Sequence, residues 1–506
     1  MSPDGTHSMK LKELFSEFDQ LKIVGDKNEE VSGIALDSRL VEPGDLFVAL
    51  KGDRYNGNHY IEDAIYRGAV AVVLEDFMMK KLDVPRVYFP NVREHLGYLS
   101  SRIYDHPSQK MTIIGITGTN GKTSTAYLLE NMLKAEGLRT GYLGTVEYRW
   151  RGAKFVSTHT TPNAPMLHRL LHKMNQDQVS HVVMECSSHG LEQHRLDHVA
   201  MDIGIFTNLT KEHFEYHPDF IAYREAKWKL FRDILMKSPK KEKWAFFNAD
   251  DSVGRSWSKE MLFEIFVRTY GISSSRDLHA WAEHVDYNLK HTKAQIHVGE
   301  EEFPIQTPHV GDFNLSNILA SVSAAKVMGV KNEVIQKVLN QGVSIPGRME
   351  KVVYHLPFEI FIDYAHSENA FEKILPYIHK QKKGRLITVF GCGGERDQTK
   401  RPLIGALVSK YSDLLVITTD NPRSEKPQEI IKQIMKGIPL IDRKRDRVHP
   451  IIDRKEAIET ALNLAKENDV VLIAGKGHEA FQEISGEKYA FSDHDVVRRF
   501  FQGSTL

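Results

Sequence analysis

Cysteine is scarce in this sequence, and there is no net charge. Only two of the 506 residues are cysteines, Cys186 and Cys392, and they lie far apart in the chain. This argues against a disulfide scaffold and is typical of a protein from the reducing cytoplasm. Lysine plus arginine number 67, and so do aspartate plus glutamate, which gives a formal net charge of +0. No overall charge therefore favours binding to nucleic acid or to an anionic membrane.

Long hydrophobic runs and metal-type histidine spacing are also absent. No apolar run approaches the roughly 20 residues that a membrane-spanning helix needs, and the run 470–474 has the length of a strand. The first eight residues are polar, without the apolar segment of a signal peptide. The 24 histidines are scattered and show no zinc-type spacing. We therefore expect a cytoplasmic protein that does not insert into a membrane.

The composition that remains is that of a globular protein, with 41% hydrophobic and 26% charged residues. At roughly 150 residues per domain, the chain suits about three domains. Two stretches, 105–109 and 344–347, are expected to be linkers. They predict an N-terminal domain 1–108, a central domain 109–345 and a C-terminal domain 346–506. Strand-like and helical segments alternate in all three, which predicts an α/β fold with mostly parallel sheets.

A glycine-rich stretch organises the chain. Residues 115–123 read Gly-Ile-Thr-Gly-Thr-Asn-Gly-Lys-Thr, after a short β-branched run and before a helical pattern. Strand, glycine-rich turn and helix form a phosphate cradle, in which Lys122 would reach the β- and γ-phosphates and Thr123 would bind Mg²⁺. The spacing departs from the strict P-loop, because Ile116 occupies a glycine position and the glycine is Gly118 instead. The alternative is a glycine-rich turn that contains Gly-Lys-Thr by chance.

Polar residues follow three strand-like runs of the central domain, 181–186, 202–206 and 243–247. Ligands bind at the carboxyl ends of strands in open parallel sheets, so these residues are expected to line one crevice with the cradle. Glu185 offers the oxygen ligands that Mg²⁺ prefers, the alternative being a carboxylate that caps a helix. His213, which follows the second run, is either structural or a ligand.

Lys227 is an unusual residue in an apolar helical stripe. Tyr223 precedes it by four positions and Phe231 follows it by four, so all three lie on one helical face. A lysine there either extends its amine to solvent or is buried, loses its proton readily and becomes nucleophilic. The pattern alone leaves both possibilities open.

The C-terminal domain repeats the alternation of strands and helices, and its strands again end in polar or glycine-rich tips. Two of these tips, 391–397 and 475–479, lie too far from Lys122 in sequence to belong to the cradle. They predict a second ligand surface that faces it. A phosphate cradle, ligands for a hard metal ion and further ligand surfaces together indicate an ATP-dependent ligase. A plain nucleotide-hydrolysing switch would not need the tips of the third domain.

The sequence resembles the Mur ligase family over nearly its whole length from Asp37, and most closely the members that add the third residue of the peptidoglycan stem peptide. The motifs that carry the resemblance are, in chain order, 115–123, Thr160-Thr-Pro162, Glu185-Cys-Ser-Ser-His189, Phe206-Thr-Asn-Leu209 with His213, Tyr223 with Ala226-Lys227, Gly347-Arg-Met-Glu350, Asp363-Tyr-Ala-His366, Asp420-Asn-Pro-Arg423 and Gly475-Lys-Gly-His-Glu479. Residues 210–215 depart from the family pattern but keep His213 and the acidic character of the segment, and Ser367-Glu368 and Asp312 also depart from the pattern. These departures leave the cradle and metal positions unchanged.

The resemblance implies an N-terminal UDP-binding α/β domain, a central P-loop ATPase domain and a C-terminal Rossmann-like domain. It also implies a cytoplasmic reaction of peptidoglycan synthesis with ATP and Mg²⁺. The D-Glu carboxylate of UDP-MurNAc-L-Ala-D-Glu attacks the γ-phosphate, an acyl phosphate forms, and an incoming amine displaces phosphate. A monomer without a nucleic-acid partner is expected.

The resemblance assigns roles residue by residue. The catalytic residues are Lys122, Lys227 and His213. The ATP contacts are Gly118, Thr119, Asn120, Gly121, Lys122, Thr123, Ser124, Asn314, Asn317, Arg348 and Asp363. The contacts to the UDP-sugar-dipeptide are Ser38, Thr160, Thr161, Ser187 and Arg195. The metal ligands are Thr123, Glu185, His213 and Lys227, the last carbamylated to N6-carboxylysine. The contacts to meso-diaminopimelate are Arg396, Asp420, Asn421, Pro422, Arg423, Gly475 and Glu479.

The choice of amino acid depends on Arg423. Diaminopimelate carries a distal carboxylate, which an arginine can clamp bidentately, while Glu479 takes the distal ammonium. Lysine has no such carboxylate, and lysine-adding members of the family lack this arginine. Three alternatives remain, namely the same reaction with L-lysine, chemistry like that of folylpolyglutamate synthase, and a non-catalytic nucleotide-binding scaffold. Arg423 argues against lysine, the segment 37–39 against folate, and the retained Lys122 and Glu185 against a scaffold.

Overall fold

The computed structural model describes residues 8–52, 56–77, 81–212, 214, 216–261, 264–272, 277–352, 354, 356–443 and 446–503. In this part of the chain, the strands form three large sheets of five, eleven and six strands, which follow one another along the sequence, and two small two-stranded sheets. None of the described helices is long and apolar enough to cross a membrane.

The first large sheet has the strand order β2-β7-β6-β5-β4, and only β2 is antiparallel to its neighbour. A small sheet of β1 and β3 lies beside it. The strands are β1 (Met9–Lys10), β2 (Lys22–Val24), β3 (Glu30–Val31), β4 (Gly33–Ala35), β5 (Asp45–Ala49), β6 (Ala71–Leu74) and β7 (Arg86–Tyr88), and the helices are α1 (Leu11–Leu14), α2 (Ile61–Tyr66) and α3 (Val92–Ile103).

The second sheet has the order β11-β10-β9-β12-β8-β13-β14-β15-β16-β17-β18, and its strands from β9 to β16 are parallel. Its strands are β8 (Thr112–Thr117), β9 (Thr140–Leu143), β10 (Glu147–Trp150), β11 (Ala153–Val156), β12 (His181–Glu185), β13 (Ile203–Phe206), β14 (Trp244–Asn248), β15 (Phe266–Gly271), β16 (Ala280–Tyr287), β17 (Thr292–Val298) and β18 (Glu301–Thr307). Its helices are α4 (Lys122–Ala135), α5 (Ala164–Gln176), α6 (Ser188–Glu192), α7 (Phe220–Lys229, continued as a π-helix over Leu230–Leu235), α8 (Ser252–Glu260), α9 (Asp312–Val327) and α10 (Asn332–Gln341). Separate apolar clusters cover its two faces.

The third sheet has the order β19-β20-β24-β21-β22-β23 and is parallel except for β19. Its strands are β19 (Glu350–Val352), β20 (Glu359–Asp363), β21 (Leu386–Phe390), β22 (Leu414–Ile417), β23 (Val448–Pro450) and β24 (Val470–Ala474), followed by the hairpin β25 (Phe481–Ile484) and β26 (Glu487–Ala490). Its helices are α11 (Glu368–Gln381), α12 (Lys400–Tyr411), α13 (Pro427–Lys436), α14 (Leu440–Arg443), α15 (Arg454–Leu464) and α16 (Asp493–Gly503).

The stretch predicted as the first linker connects α3 to β8 but is packed rather than open. Pro107–Lys110 forms a 3₁₀ turn, and Ser108 is fully buried. The Ser108 hydroxyl accepts the backbone N–H of Ala200 at 2.9 Å, which ties the turn to the central sheet. Polar composition suggested an exposed connection, whereas this serine is satisfied by a backbone partner far away in sequence.

Candidate active site

The cradle loop lies between β8 and α4, and two of its glycines are required by close approach. Gly118 has φ +148° and Gly121 has φ +88°. A Cβ at Gly118 would lie 1.9 Å from Thr207 Oγ1, and one at Gly121 would lie 2.2 Å from Asn317 Oδ1. Ile116, which occupies a glycine position of the strict P-loop, is a buried residue of β8. The turn therefore has its own spacing and the strand–turn–helix layout that the sequence predicted.

Lys122 begins α4 and folds back over its own loop. Its Nζ donates to the carbonyl oxygens of Gly118 at 2.8 Å and Thr119 at 2.9 Å. Desolvation lowers the pKa of Lys122, and the negative charge of Glu185 partly opposes that shift. The ammonium is thus held at the mouth of the cradle, where a phosphate could replace the two carbonyls as its partner.

Glu185 ends β12, the neighbour of β8, and is 1% exposed. Its Oε1 accepts the Tyr142 hydroxyl at 2.6 Å and the Thr145 backbone N–H at 3.0 Å. Its Oε2 accepts the Thr123 hydroxyl at 3.0 Å and the Thr145 hydroxyl at 3.0 Å. Three of the four donors are side-chain hydroxyls, so the glutamate holds side chains around the cradle rather than capping a helix.

The donors around Glu185 fit a hard cation. Thr123 Oγ1 and Glu185 Oε2 lie 3.0 Å apart, and hydroxyl and carboxylate oxygens are the ligands that Mg²⁺ prefers. No group of three histidine, cysteine or acidic side chains that could hold a metal converges within the described ranges. His213, a predicted ligand, lies outside the described residues.

Lys227 lies in α7 and is 1% exposed, so its amine does not extend to solvent. Its Nζ donates to the Gly118 carbonyl at 2.9 Å and lies 4.6 Å from the centroid of the Tyr223 ring. Burial, together with the positive charge of Lys122, lowers the pKa of Lys227 well below its usual value. Of the two possibilities that the pattern left open, the structure selects the buried amine.

A cleft of about 680 Å³ opens beside the cradle, between the central and C-terminal sheets. Most of the predicted ATP contacts line it, namely Asn120, Gly121, Ser124, Asn314, Asn317, Arg348 and Asp363. Arg348, which directly follows the second predicted linker, donates to Thr123 Oγ1 of the cradle at 3.3 Å. Burial raises the pKa of Asp363, and its carboxylate accepts the backbone N–H groups of Met349 and Ala365.

Four of the five residues predicted to contact the UDP-sugar-dipeptide form one network next to Glu185. The Thr161 hydroxyl donates to the Glu185 carbonyl at 2.8 Å and lies 3.1 Å from the Ser187 hydroxyl. Arg195 donates to the Thr161 carbonyl at 2.7 Å, and Thr160 reaches the network through Thr145 at 3.1 Å.

The fifth residue of that set, Ser38, lies apart in the N-terminal sheet region, in the turn Ser38–Leu40. It is 3% exposed, and its hydroxyl bonds Asp63 and lowers the pKa of that carboxyl. Arg39 next to it pairs with Asp37 at 2.6 Å. The structure does not bring Ser38 into contact with the other four.

A second cleft, of about 440 Å³, lies at the tips of the C-terminal strands. Six of the seven predicted amino-acid contacts line it, namely Arg396, Asp420, Asn421, Arg423, Gly475 and Glu479. Pro422 lies in the same turn but does not line the cleft. Side chains of the central domain, among them His189 and Tyr216, close it from the other side. The residues Glu212, Tyr364, His366 and Ser367 line both clefts.

The acidic end of this second cleft is organised by a buried lysine. Lys476 is fully buried, and its Nζ donates to Asn421 Oδ1 at 3.0 Å and to Glu479 Oε2 at 2.8 Å. Burial alone would raise the pKa of Glu479, but the adjacent Lys476 outweighs it and the pKa is lowered. Glu479 therefore stays a carboxylate.

Arg423 lines the same cleft and carries a positive charge, in contrast to the negative charge of Glu479. It has φ +52°, donates through Nη1 to the Gly394 carbonyl at 2.6 Å, and pairs through Nε with Glu483 at 3.3 Å. The guanidinium is thus held in place by contacts on two of its nitrogens. Arg396, by contrast, is an exposed side chain.

Comparisons with known proteins match three family descriptions along the chain. Residues 30–104 match the catalytic domain of the Mur ligase family, residues 116–325 the Mur ligase middle domain, and residues 347–477 the Mur ligase glutamate ligase domain. A UDP-N-acetylmuramoyl-L-alanyl-D-glutamate--2,6-diaminopimelate ligase from Aquifex aeolicus (strain VF5) is 40% identical over 475 residues, which are 94% of each chain. The chain belongs to the Mur ligase family.

Further relatives agree with this assignment. An enzyme with the same name from Syntrophomonas wolfei is 36% identical to this Mur ligase over 497 residues, 98% of this chain and 99% of its own. A solved structure of a UDP-N-acetylmuramoyl-L-alanyl-D-glutamate--2,6-diaminopimelate ligase shares 29% identity, with a TM-score of 0.67 over 99% of this chain and 100% of that one. The prediction of a three-domain α/β fold is confirmed.

Folylpolyglutamate synthase shares the fold but little sequence. The Mycobacterium tuberculosis enzyme, solved with ADP and AMPPCP, is 15% identical, with a TM-score of 0.62 over 76% of this chain and 92% of that one. At that identity the likeness is one of fold alone, so it does not favour folate chemistry for this Mur ligase.

Sequence reasoning missed several residues of the site. Tyr142 and Thr145, which bind Glu185, lie in and after β9, outside every motif. Lys476 belongs to the Gly475–Glu479 motif but had no predicted role. Arg401, 1% exposed, donates to the Gly393 carbonyl and to Glu425, and thereby joins two strand tips. The position of Lys476 inside a recognised motif was a signal that could have been used; no pattern marks the others.

Proposed function

We propose that this Mur ligase uses ATP and Mg²⁺ to join meso-diaminopimelate to the D-Glu carboxylate of UDP-MurNAc-L-Ala-D-Glu in the cytoplasm. The observation that carries the proposal is the union of the two clefts through four shared lining residues. It allows a carboxylate activated at the cradle to meet an amine held at the C-terminal tips. The domains that supply the parts are 1–108 for the UDP-sugar, 109–345 for ATP and 346–506 for the amino acid.

The cradle residues bind and orient the triphosphate. The backbone N–H groups at the start of α4 would face the phosphates, and Lys122 would exchange its loop carbonyls for phosphate oxygens. Asn317, which touches Gly121, and Arg348, which touches Thr123, define the wall of the cleft on the nucleotide side. These positions would bring the γ-phosphate near Thr123 and Glu185.

Thr123 and Glu185 would hold Mg²⁺, with His213 and a carbamylated Lys227 completing the set. When bound, the cation supplies positive charge next to the phosphate oxygens. The buried Lys227 amine, with its lowered pKa, is the nucleophilic form that combines with carbon dioxide, losing one proton as the carbamate forms. The carbamate would turn this lysine into a carboxylate ligand.

The reaction then divides between the two clefts. The D-Glu carboxylate oxygen attacks the γ-phosphorus, and ADP leaves as an acyl phosphate forms. The amine nitrogen attacks the acyl carbon, loses a proton, and phosphate leaves. The protein contributes charge stabilisation at the cradle and holds the amine against the acyl phosphate.

Recognition of diaminopimelate needs a cation and an anion at fixed separation. Arg423 would clamp the distal carboxylate, and the Glu479 carboxylate would accept the distal ammonium. Arg396, exposed at the rim, would add a second positive charge. L-lysine lacks the carboxylate and so loses the Arg423 interaction.

Phosphate release tests the proposal. The purified protein is given ATP, Mg²⁺ and UDP-MurNAc-L-Ala-D-Glu, with either meso-diaminopimelate or L-lysine as the amine. Release with diaminopimelate alone is the expected result. Release with L-lysine alone would keep the ligase and overturn the role of Arg423, and ATP binding without release in either case would support a non-catalytic scaffold.

A further inference from the structure

Glu185 is held in place by a hydrogen bond from a buried tyrosine, Tyr142. Its two carboxylate oxygens accept different kinds of donor group among the described residues. Oε1 accepts the Tyr142 hydroxyl at 2.6 Å and a backbone N–H, that of Thr145, at 3.0 Å. Oε2 accepts the hydroxyls of Thr123 and Thr145, each at 3.0 Å. The carboxylate is therefore asymmetric, with a fixed oxygen and an adjustable one.

The asymmetry follows from the donors. A threonine hydroxyl can rotate its proton to another acceptor and then offer its own lone pairs, so Oε2 can be freed without moving a heavy atom. A backbone N–H cannot turn away, and a tyrosine hydroxyl keeps its oxygen wherever the ring is held. Oε2 is thus the oxygen that can turn to a cation together with Thr123 Oγ1, while Oε1 stays bound.

The Tyr142 ring is held by its packing. It is fully buried, the Tyr127 ring meets it edge-on with centroids 4.9 Å apart, and the Arg149 guanidinium carbon lies 4.5 Å from its centroid. A Cβ at Gly144 would lie 2.2 Å from the Tyr142 hydroxyl and 2.3 Å from Glu185 Oε1. The hydroxyl and the carboxylate therefore meet in a space that a glycine leaves open.

Arg149 is itself anchored against the ring. Its side chain is 15% exposed and pairs with Glu130 at 2.8 Å and Glu147 at 2.6 Å. The planar guanidinium also lies 4.2 Å from the centroid of Tyr127. Two carboxylates thus hold the Arg149 cation against both tyrosine rings, a contact that arginine makes more often than lysine.

We propose that Tyr142, clamped by Arg149, is a positioning residue for the cation site, which fixes Glu185 so that Oε2 and the Thr123 hydroxyl meet the same metal ion. The inference rests on the proposed function in taking that ion to be the Mg²⁺ of the ligase reaction. Groups that orient a metal ligand in this way typically change metal affinity or activity about 10–100-fold when they are removed.

The test compares Tyr142→Phe with Tyr270→Phe in the full-length enzyme. Tyr270 is also fully buried, and its hydroxyl donates to a backbone carbonyl, that of Phe206, at 2.9 Å. We expect Tyr142→Phe to raise the Mg²⁺ concentration for half-maximal phosphate release about tenfold, with an unchanged KM for UDP-MurNAc-L-Ala-D-Glu. Binding of Mn²⁺ to the enzyme with ADP alone, followed by electron paramagnetic resonance, should weaken by the same factor. Tyr270→Phe should leave both titrations unchanged.

A third variant, Arg149→Lys, keeps a positive charge for Glu130 and Glu147 but loses the flat face. It should shift both metal titrations in the same direction as Tyr142→Phe, by less. An unchanged Mn²⁺ affinity in folded Tyr142→Phe would overturn the inference, and so would an equal loss in Tyr270→Phe. A wild-type enzyme without Mg²⁺-dependent turnover would count against the proposed function instead, while the Mn²⁺ comparison would still decide the role of Tyr142.

Discussion

Lys227 illustrates how one side chain acquires reactivity from its position. On a helix surface its amine would carry a proton at neutral pH, whereas here it is 1% exposed and near Lys122. Both conditions penalise the ammonium form. The amine touches Gly118, so any negative group formed on it would lie beside the phosphate cradle.

We predict that Lys227→Ala lowers kcat by roughly 10²–10³, the cost of removing one group that stabilises charge in an active site. Short carboxylic acids should restore part of the activity, because they can occupy the position of the carbamate. Phosphate release with and without added acetate measures both effects. Lys229→Ala, which removes a lysine of the same helix that pairs with Glu192 instead, is the control and should behave like the wild type. Full activity in Lys227→Ala would contradict a role for the carbamate.

Arg423 should decide between amino acids. In Arg423→Lys, a compact ammonium replaces the fork that we propose clamps a carboxylate, and hydrogen bonds to charged groups contribute about 1.5–3 kcal/mol. We therefore expect kcat/KM for meso-diaminopimelate to fall roughly 10–100-fold, with little change for L-lysine. Arg498→Lys, on the exposed face of α16, serves as the matched control. An equal loss of kcat/KM with both amines would indicate that Arg423 stabilises the turn rather than binds the distal carboxylate of the substrate.

At the scale of an element, α4 begins and ends at glycines with positive φ, and only the first is crowded. Gly121 has φ +88° with an Asn317 oxygen 2.2 Å from a would-be Cβ, while Gly137 has φ +95° with nothing within 4 Å. Gly137→Ala should lower the free energy of unfolding by about 1–2 kcal/mol, the cost of a left-handed backbone conformation for a residue with a Cβ. Gly121→Ala should cost more and abolish the stabilisation by ATP, as followed by thermal unfolding with and without nucleotide. Equal changes of the melting temperature in the two variants would contradict the close contact between a Cβ at Gly121 and Asn317.

The last helix, α16, is tied to β19 by a pH-dependent pair. His494 lies 3.1 Å from Glu350, and although burial lowers the pKa of His494, the carboxylate outweighs it and the pKa is raised above 6.5. A histidine whose pKa is raised by folding stabilises the folded protein. This stabilisation is fully present at pH values below the pKa of the unfolded state, and it is lost as the pH rises through the pKa of the folded state. Asp493 and Asp495 raise it further. Near pH 6 we expect the melting temperature of the wild type to be higher than that of His494→Gln, and we expect this difference to become smaller by pH 8. A difference that is constant with pH would exclude this linkage.

Elements with strong local patterns could be predicted from the sequence. The strand Val470–Ala474 has the bounds of the strand-length apolar run seen in the sequence, because the glycine after the run marks where the strand ends. The hairpin of β10 and β11 was not predicted, since β11 is exposed along its length and carries no burial pattern. The contact of Tyr142 with Glu185 joins positions 43 apart, which periodicity does not reveal. The cradle is formed by one contiguous stretch of sequence, whereas the residues that support it come close to it only in the tertiary structure.

Across the whole molecule, the two flanking domains attach to the central one differently. Arg169 of α5 pairs with the buried Asp45 at 2.8 Å and donates to the Tyr104 hydroxyl at 2.8 Å, so the N-terminal sheet is fixed by a charged clamp. At the cradle, the C-terminal domain is joined by side chains that cross the nucleotide cleft. Asn369 Oδ1 accepts from Asn120 at 3.0 Å and from Thr210 at 3.0 Å.

Asn369→Ala should therefore weaken the closed arrangement. Each lost hydrogen bond is worth about 1 kcal/mol, which predicts a fall in kcat/KM for ATP of roughly 5–30-fold. The radius of gyration from small-angle scattering should increase without ligand. Asn131→Ala removes an amide that bonds within α4 and should change neither quantity. A variant with wild-type kinetics would show that other contacts hold the cleft closed.

The lining shared by the two clefts makes them subsites of one continuous surface. A single compound with a nucleotide-like head and a diamino-dicarboxylate head, joined by a short linker, could occupy both at once. After the first head binds, the second is present at an effective concentration in the millimolar range. Two heads with dissociation constants of about 10 µM each would then reach about 0.1 µM together. The four shared residues thus define the path that such a linker would follow.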